Sequence, residues 1–154
     1  MFKNLEEKEI TFILENNYIG QLGYIYQNRP YIVPITYYFD KENHSFICYS
    51  ADGHKMNAMR KHNSVSLLVS DIDTVTQWKS VLAHGTFKQH FGSEAKAYLH
   101  KFSLGVKHII MEKDHKQVNF ISEFSSKIYN DEIPAVFIIK IEEVTGKKRN
   151  TFNA

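Results

Sequence analysis

A chain of 154 residues with 43% apolar and 23% charged side chains has the size and composition of a single globular domain, 1–154, large enough to bury an ordinary core. Nineteen Lys and Arg against 17 Asp and Glu leave a formal charge of +2, which gives no support to nucleic-acid binding. The single cysteine rules out an internal disulfide, and no apolar run approaches the roughly 20 residues of a membrane-spanning helix.

In chain order, Leu5–Asn16 sets Ile10, Phe12, Ile13 and Leu14 among four glutamates and a lysine, closer to a 3.6-residue period than to alternation, and predicts a short leading helix. No charged-then-apolar leader occupies Met1–Asn16, so a cytoplasmic location is expected. Tyr18–Tyr26 and Tyr31–Phe39 are β-rich runs flanking Gln27-Asn28-Arg29-Pro30 and read as a hairpin. Pro34 interrupts the second run, and because proline cannot donate to a ladder it marks an edge strand or a bulge. A turn at Asp40–Asn43 leads to a third strand, Ser45–Ser50.

Ala51-Asp52-Gly53 breaks the β pattern, and His54–His62 resumes at helical spacing with Met56, Met59 and Arg60 on one face. Ser64–Ser70 is a fourth strand and Ser80–Phe91 a fifth, in which Gly85 marks a bend or bulge. Between them Asp71–Lys79 reads as a polar loop carrying the only tryptophan, Trp78. Ser93 caps a helix running to Phe102, a weaker helix falls within Gln117–Lys127, and Ala135–Val144 is the closing strand. The tail Lys147-Lys148-Arg149 is most simply a solvated end. Six strands without regular β-α-β alternation predict a mainly β fold with minor α, an antiparallel barrel with flanking helices.

Three features carry candidate chemistry. Ser50-Ala51-Asp52-Gly53-His54-Lys55 joins a strand end, a glycine and a lysine to a helix start, where unpaired N–H groups and the helix dipole suit an anion such as phosphate. Taken alone, Gly-x-Lys after a strand is also the pattern of a plain turn and cap. The irregularity at Pro34 frees backbone groups that an edge strand leaves to water and a ligand site gives to a planar polar ring. Trp78, just before a strand, either stacks on such a ring or packs in a core or interface. Cys48, in an apolar strand, reads as a buried small hydrophobe. The eight histidines are scattered without His-x-x-x-His or His-Glu-x-x-His spacing, so no metal site is expected, and the lack of Gly-x-Ser-x-Gly removes a serine hydrolase of that kind.

Read in register, five segments bear a further signal: Ile19–Gly23, Pro30–Tyr37, Tyr49–Lys55 with Met59-Arg60, Trp78–Val81, and Ile141–Lys148. Together they resemble the pyridoxamine 5'-phosphate oxidase-like flavin-binding split barrels, in the nitroimidazole-resistance reductase branch. The resemblance implies a six-stranded split barrel that acts as a homodimer and holds flavin mononucleotide (FMN) in grooves between subunits. It places Pro34, Ile35, Thr36 and Tyr37 along the flavin ring and ribityl chain, Ser50, Ala51 and Lys55 on the phosphate, and Ser80 and Val81 beside the ring with Trp78 reaching toward it. The implied activity is oxidation–reduction, with electrons passing from a nicotinamide nucleotide to a small electrophile such as a nitroaromatic. Two alternatives stay open, a non-catalytic flavin carrier or sensor and a haem-binding or haem-degrading barrel with one axial histidine, and members of the superfamily also bind a deazaflavin. The Arg-x-His substrate segment of true pyridoxamine phosphate oxidases has no counterpart, since Asn150-Thr151-Phe152 follows Arg149, which disfavours vitamin B6 oxidation.

Overall fold

A computed structural model describes residues 2–114 and 135–150. The elements, in chain order, are β1 (Phe2–Asn4), α1 (Glu7–Glu15), β2 (Ile19–Tyr26), β3 (Arg29–Asp40), β4 (Ser45–Ser50), α2 (His54–Lys61), β5 (Ser64–Thr74), β6 (Gln77–His90), α3 (Gly92–Asp114) and β7 (Ala135–Asn150). All described pairings are antiparallel. The strand order is β1-β7-β4-β3-β2-β5-β6, and a further pairing of β7 with β6 closes β2 to β7 into a six-stranded barrel. Closure removes the long edges an open sheet would expose.

The barrel follows from alternation. On β3, Ile35, Tyr37 and Phe39 are buried inside while Pro34 is exposed and Thr36 half-buried; on β6, Val81, Ala83 and Phe87 point inward. Ile13 and Leu14 of α1 and Met56, Ala58 and Met59 of α2 join the same core. A second cluster lies outside the barrel wall, where α3 lays Ala95, Leu99, Phe102, Val106 and Ile110 on Ile47 and Val136. That explains the almost uninterrupted burial of β4: Phe46 and Cys48 face the barrel while Ile47 faces α3. Each such side chain contributes about 1.5–3 kcal/mol by leaving water.

The β2–β3 hairpin turns on Gln27 (φ 51°) and Asn28 (φ 60°), the paired left-handed geometry of a tight two-residue hairpin. Gly85 sits at the expected irregularity: the β6–β7 register slips between His84 and Gly85, so that His84 pairs with Glu143 and Gly85 with Ile141. Pro34 resolves as an edge position. It pairs regularly with Gln21, but β4 joins β3 only from Tyr37 onward, so no second ladder asks Pro34 for a donor.

Several boundaries differ from the sequence reading. The three-residue β1, too short to show alternation, pairs with Lys147–Arg149. Asp71–Lys79 is not a loop, because β5 and β6 extend to Thr74 and Gln77; Ile72 and Val75 are largely exposed, and a hairpin tip wet on both faces carries no inside-outside pattern. The tail Lys147-Lys148-Arg149 is not a solvated end but strand β7, with the Lys148 ammonium on the Glu9 carboxylate at 3.1 Å and Arg149 over the Phe2 ring at 5.4 Å. The hydrogen bond from Lys148, aided by a backbone bond, holds the Glu9 carboxyl below its ordinary range. α3 continues from the expected Phe102 to Asp114 through Gly105, where a Cβ would lie 2.1 Å from a carbon of the Tyr38 ring. Gly105 permits this close packing of α3 on Tyr38. The helix expected within Gln117–Lys127 lies outside the described residues.

Candidate functional site

The most suggestive local chemistry lies where β3 and β4 part and α2 begins. The N-cap of α2 is Gly53, no side chain caps the helix, and its first turn contains no acidic residue. Its leading amides therefore carry the positive end of the dipole without an internal anion to offset it. A Cβ built on Gly53 meets nothing within 4 Å, so the space beside the N-cap residue is open. Half-buried Lys55 follows in the first turn. Ser50, 6% exposed, closes β4 and donates its hydroxyl to the Ala51 carbonyl at 2.9 Å, while Ala51 is exposed.

Asp52, which would repel an anion here, is engaged elsewhere. The Arg60 guanidinium donates to it at 3.0 Å, to Asn57 at 3.1 Å and to Gln89 of β6 at 2.8 Å. On the other side, the hydroxyl of Tyr24 and Nδ1 of His54 share a hydrogen bond of 3.1 Å, and burial pushes the Tyr24 phenol above its ordinary value. The Tyr24–His54 and Arg60–Gln89 links join residues 30 and 29 positions apart, and no local sequence signal announces them.

The strand residues divide by direction. Pro34 and Thr36 face away from the core, as do half-buried Trp78 and Ser80. Ile35, Tyr37 and Val81 send their side chains into it, at 7%, 0% and 0% exposure. Tyr37 is wholly committed: its hydroxyl donates to the Leu14 carbonyl at 3.0 Å, its amide to the Tyr18 carbonyl at 2.9 Å, and burial drives its phenol pKa far up. Trp78 packs its indole on Phe2, 5.8 Å between centroids.

Within one chain the candidates form two separate groups. Pro34, Thr36, Ser50, Ala51 and Lys55 gather at the β3–β4 parting, whereas Trp78 and Ser80 are on β6, three strands from β3 in the order β3-β2-β5-β6. At about 4.8 Å per strand that is roughly 14 Å. The outward face between them exposes Ile19 (51%), Ile32 (74%), Leu68 (37%) and Ile72 (72%), a run of apolar side chains of the kind that marks an interaction surface.

Cys48 is fully buried and its thiol pKa is driven up by burial, the state of an inert core residue. Among the described residues, no three His, Cys, Asp or Glu side chains cluster as metal ligands, and no helix is long and apolar enough to cross a membrane.

Comparison with known proteins gives three kinds of likeness. The model of the family described as pyridoxamine 5'-phosphate oxidase matches residues 6–148. An uncharacterised protein of Rhizobium meliloti is 29% identical over 85 residues, 55% of each chain, so the chain spans about half the length of the curated relative it matches. Among solved structures, a FAD-binding protein of Mesorhizobium loti superposes with a TM-score of 0.74 at 23% identity, over 97% of this chain and 99% of that one. A candidate 5-nitroimidazole antibiotic resistance protein of Bacteroides thetaiotaomicron gives 0.66 at 16% identity, over 96% and 89%. At such identities the structures establish the shared fold.

Proposed function

The chain belongs to the pyridoxamine 5'-phosphate oxidase family, and from that premise we propose that it is an FMN-binding oxidoreductase working as a homodimer. The observation that carries the reading is the start of α2, uncapped, free of acids in its first turn, open at Gly53 and followed by Lys55. This donor set fits a terminal phosphate, which binds through backbone N–H groups and one flexible cation. The FAD-binding protein of Mesorhizobium loti supports a flavin as the ligand. FMN is the form proposed, because a cradle of helix amides and one lysine would suit its terminal phosphate.

Flavin, when bound, supplies hydride and single-electron transfer, so the protein's task is binding and orientation. Lys55 and the first amides of α2 anchor the phosphate, and Arg60 keeps the Asp52 carboxylate engaged on its far side. Pro34 and Thr36 border the ring from an edge where β3 has backbone groups outside the β4 ladder. Ser80 and Trp78 lie too far along the same sheet to border that ring from the same chain. A second copy laid on the Ile19–Ile32–Leu68–Ile72 face would bring its own Ser80 and Trp78 across, and this is the argument for a two-copy site. A nicotinamide nucleotide as donor and a small electrophile, such as a nitroaromatic, as acceptor complete the reading. The candidate resistance protein of Bacteroides thetaiotaomicron supports that acceptor class.

Replacement of Lys55 by alanine removes one charge-assisted contact, worth about 1.5–3 kcal/mol, so FMN affinity in a fluorescence titration is expected to fall roughly 10- to 100-fold. Riboflavin, which lacks the phosphate, should lose little. Unchanged FMN affinity in Lys55→Ala would overturn the phosphate assignment.

A further inference from the structure

We propose that His54 is a positioning residue for the phosphate cradle, held by a clasp of three tyrosines on the β2–β3 hairpin; the inference rests on the phosphate reading of α2 given above. The need for such a device is physical. With Gly53 as N-cap and no side-chain cap, nothing within α2 itself fixes the direction of its first amides. A short helix frays from such an end.

The clasp supplies what the helix lacks. His54 is the first residue of α2, and its ring centroid lies 4.8 Å from that of Tyr26, 4.9 Å from Tyr31 and 5.9 Å from Tyr24. Its Nδ1 shares the 3.1 Å hydrogen bond with the Tyr24 hydroxyl. Tyr24 is 4% exposed, is paired with Tyr31 across the hairpin and stacks on it at 5.4 Å with planes 8° apart. The imidazole is thus docked against a twisted, tightly turned ribbon and not against a loop.

One peptide bond separates His54 from Lys55. A shift of the imidazole therefore moves the Lys55 backbone and the leading amides together, and charge-assisted hydrogen bonds depend steeply on length and angle. From the opposite side, Arg60 ties Asp52 to Gln89. The segment from Asp52 to Lys55 is held between these two anchors, one aromatic and one ionic.

The test is a set of FMN titrations on folded variants, with riboflavin titrated in parallel and folding checked by thermal melts. His54→Ala is expected to weaken FMN binding roughly tenfold, and Tyr24→Phe, which keeps the stacking but loses the hydroxyl, roughly three- to tenfold. His54→Asn, whose amide occupies the place of Nδ1, should recover most of the affinity, whereas His54→Gln should not. In the Lys55→Ala background the effect of His54→Ala should shrink, because the part of it that passes through Lys55 is already lost while the part that passes through the leading amides remains. Full additivity in that cycle, an equal loss for riboflavin, or unchanged FMN affinity in His54→Ala alongside a loss in Lys55→Ala would overturn the positioning role and leave the phosphate reading intact. A wild-type protein that does not prefer FMN to riboflavin would instead overturn the phosphate reading itself.

Discussion

At the scale of single residues, the structure separates side chains that hold the fold from those that stand outside its packing. Asp40 is a holding residue: 2% exposed, it accepts from Asn43 at 2.7 Å and from the Lys101 ammonium at 2.9 Å, fastening the β3–β4 turn to α3. Burial pushes the Asp40 carboxyl up, but the hydrogen bonds from Asn43 and Lys101 outweigh it and hold the pKa below the usual range. The same hydrogen bond raises the pKa of Lys101. A carboxyl depressed in the folded state adds stability above its unfolded pKa, about 3.9, and loses it as pH falls through the lower folded value. Asp40→Asn is therefore expected to cost about 1–2 kcal/mol at pH 7, a moderate figure because Lys101 is partly exposed. The gap to wild type in denaturant melts should narrow as pH drops below about 4. A gap that stays constant with pH would contradict the ionic role. Lys55, by contrast, was singled out in sequence by its place after a glycine at a helix start, and the structure puts it there. His54 was not, since its partners Tyr24, Tyr26 and Tyr31 sit on another hairpin and nothing near residue 54 encodes them.

Elements were legible in proportion to how one-sided their environment is. The hairpin β2–β3 and strand β4 stood out because aromatic and β-branched runs are punctuated by turn residues, and α2 because Met56 and Met59 recur at helical spacing on the buried face. Arg60, expected beside them, is exposed and belongs to the Asp52 network. What was missed is wet on both faces, like the β5–β6 tip, or is settled by distant partners, like β1 and the end of β7. Gly85 shows an element-scale constraint that sequence did indicate. A Cβ there would lie 2.3 Å from the Lys140 carbonyl oxygen and 2.8 Å from Ile139, and backbone in a closed barrel cannot step aside cheaply. Gly85→Ala is expected to destabilise by at least roughly 1–3 kcal/mol, read as a lowered thermal midpoint. A variant as stable as wild type would show that the β6–β7 slip relaxes freely.

For the whole molecule, the barrel was readable from strand count and the absence of β-α-β alternation, but the assembly of the site was not. Periodicity reported which residues face out of the barrel; it could not report that Pro34 and Thr36 lie three strands from Ser80. If the apolar outer face joins two copies, Leu68→Lys should convert a species of twice the chain mass into a folded monomer in light scattering. The monomer should bind FMN more weakly, having lost the second copy's Ser80 and Trp78. A wild-type protein that runs as a monomer while binding FMN tightly would contradict the two-copy site.

A flavin site is tested most directly by what the purified protein carries. Its visible absorption spectrum, with the released chromophore identified by mass, is expected to show the flavin bands and to yield flavin mononucleotide at about one per chain. A Soret band, or a colourless protein that also fails to take up added FMN, would contradict it.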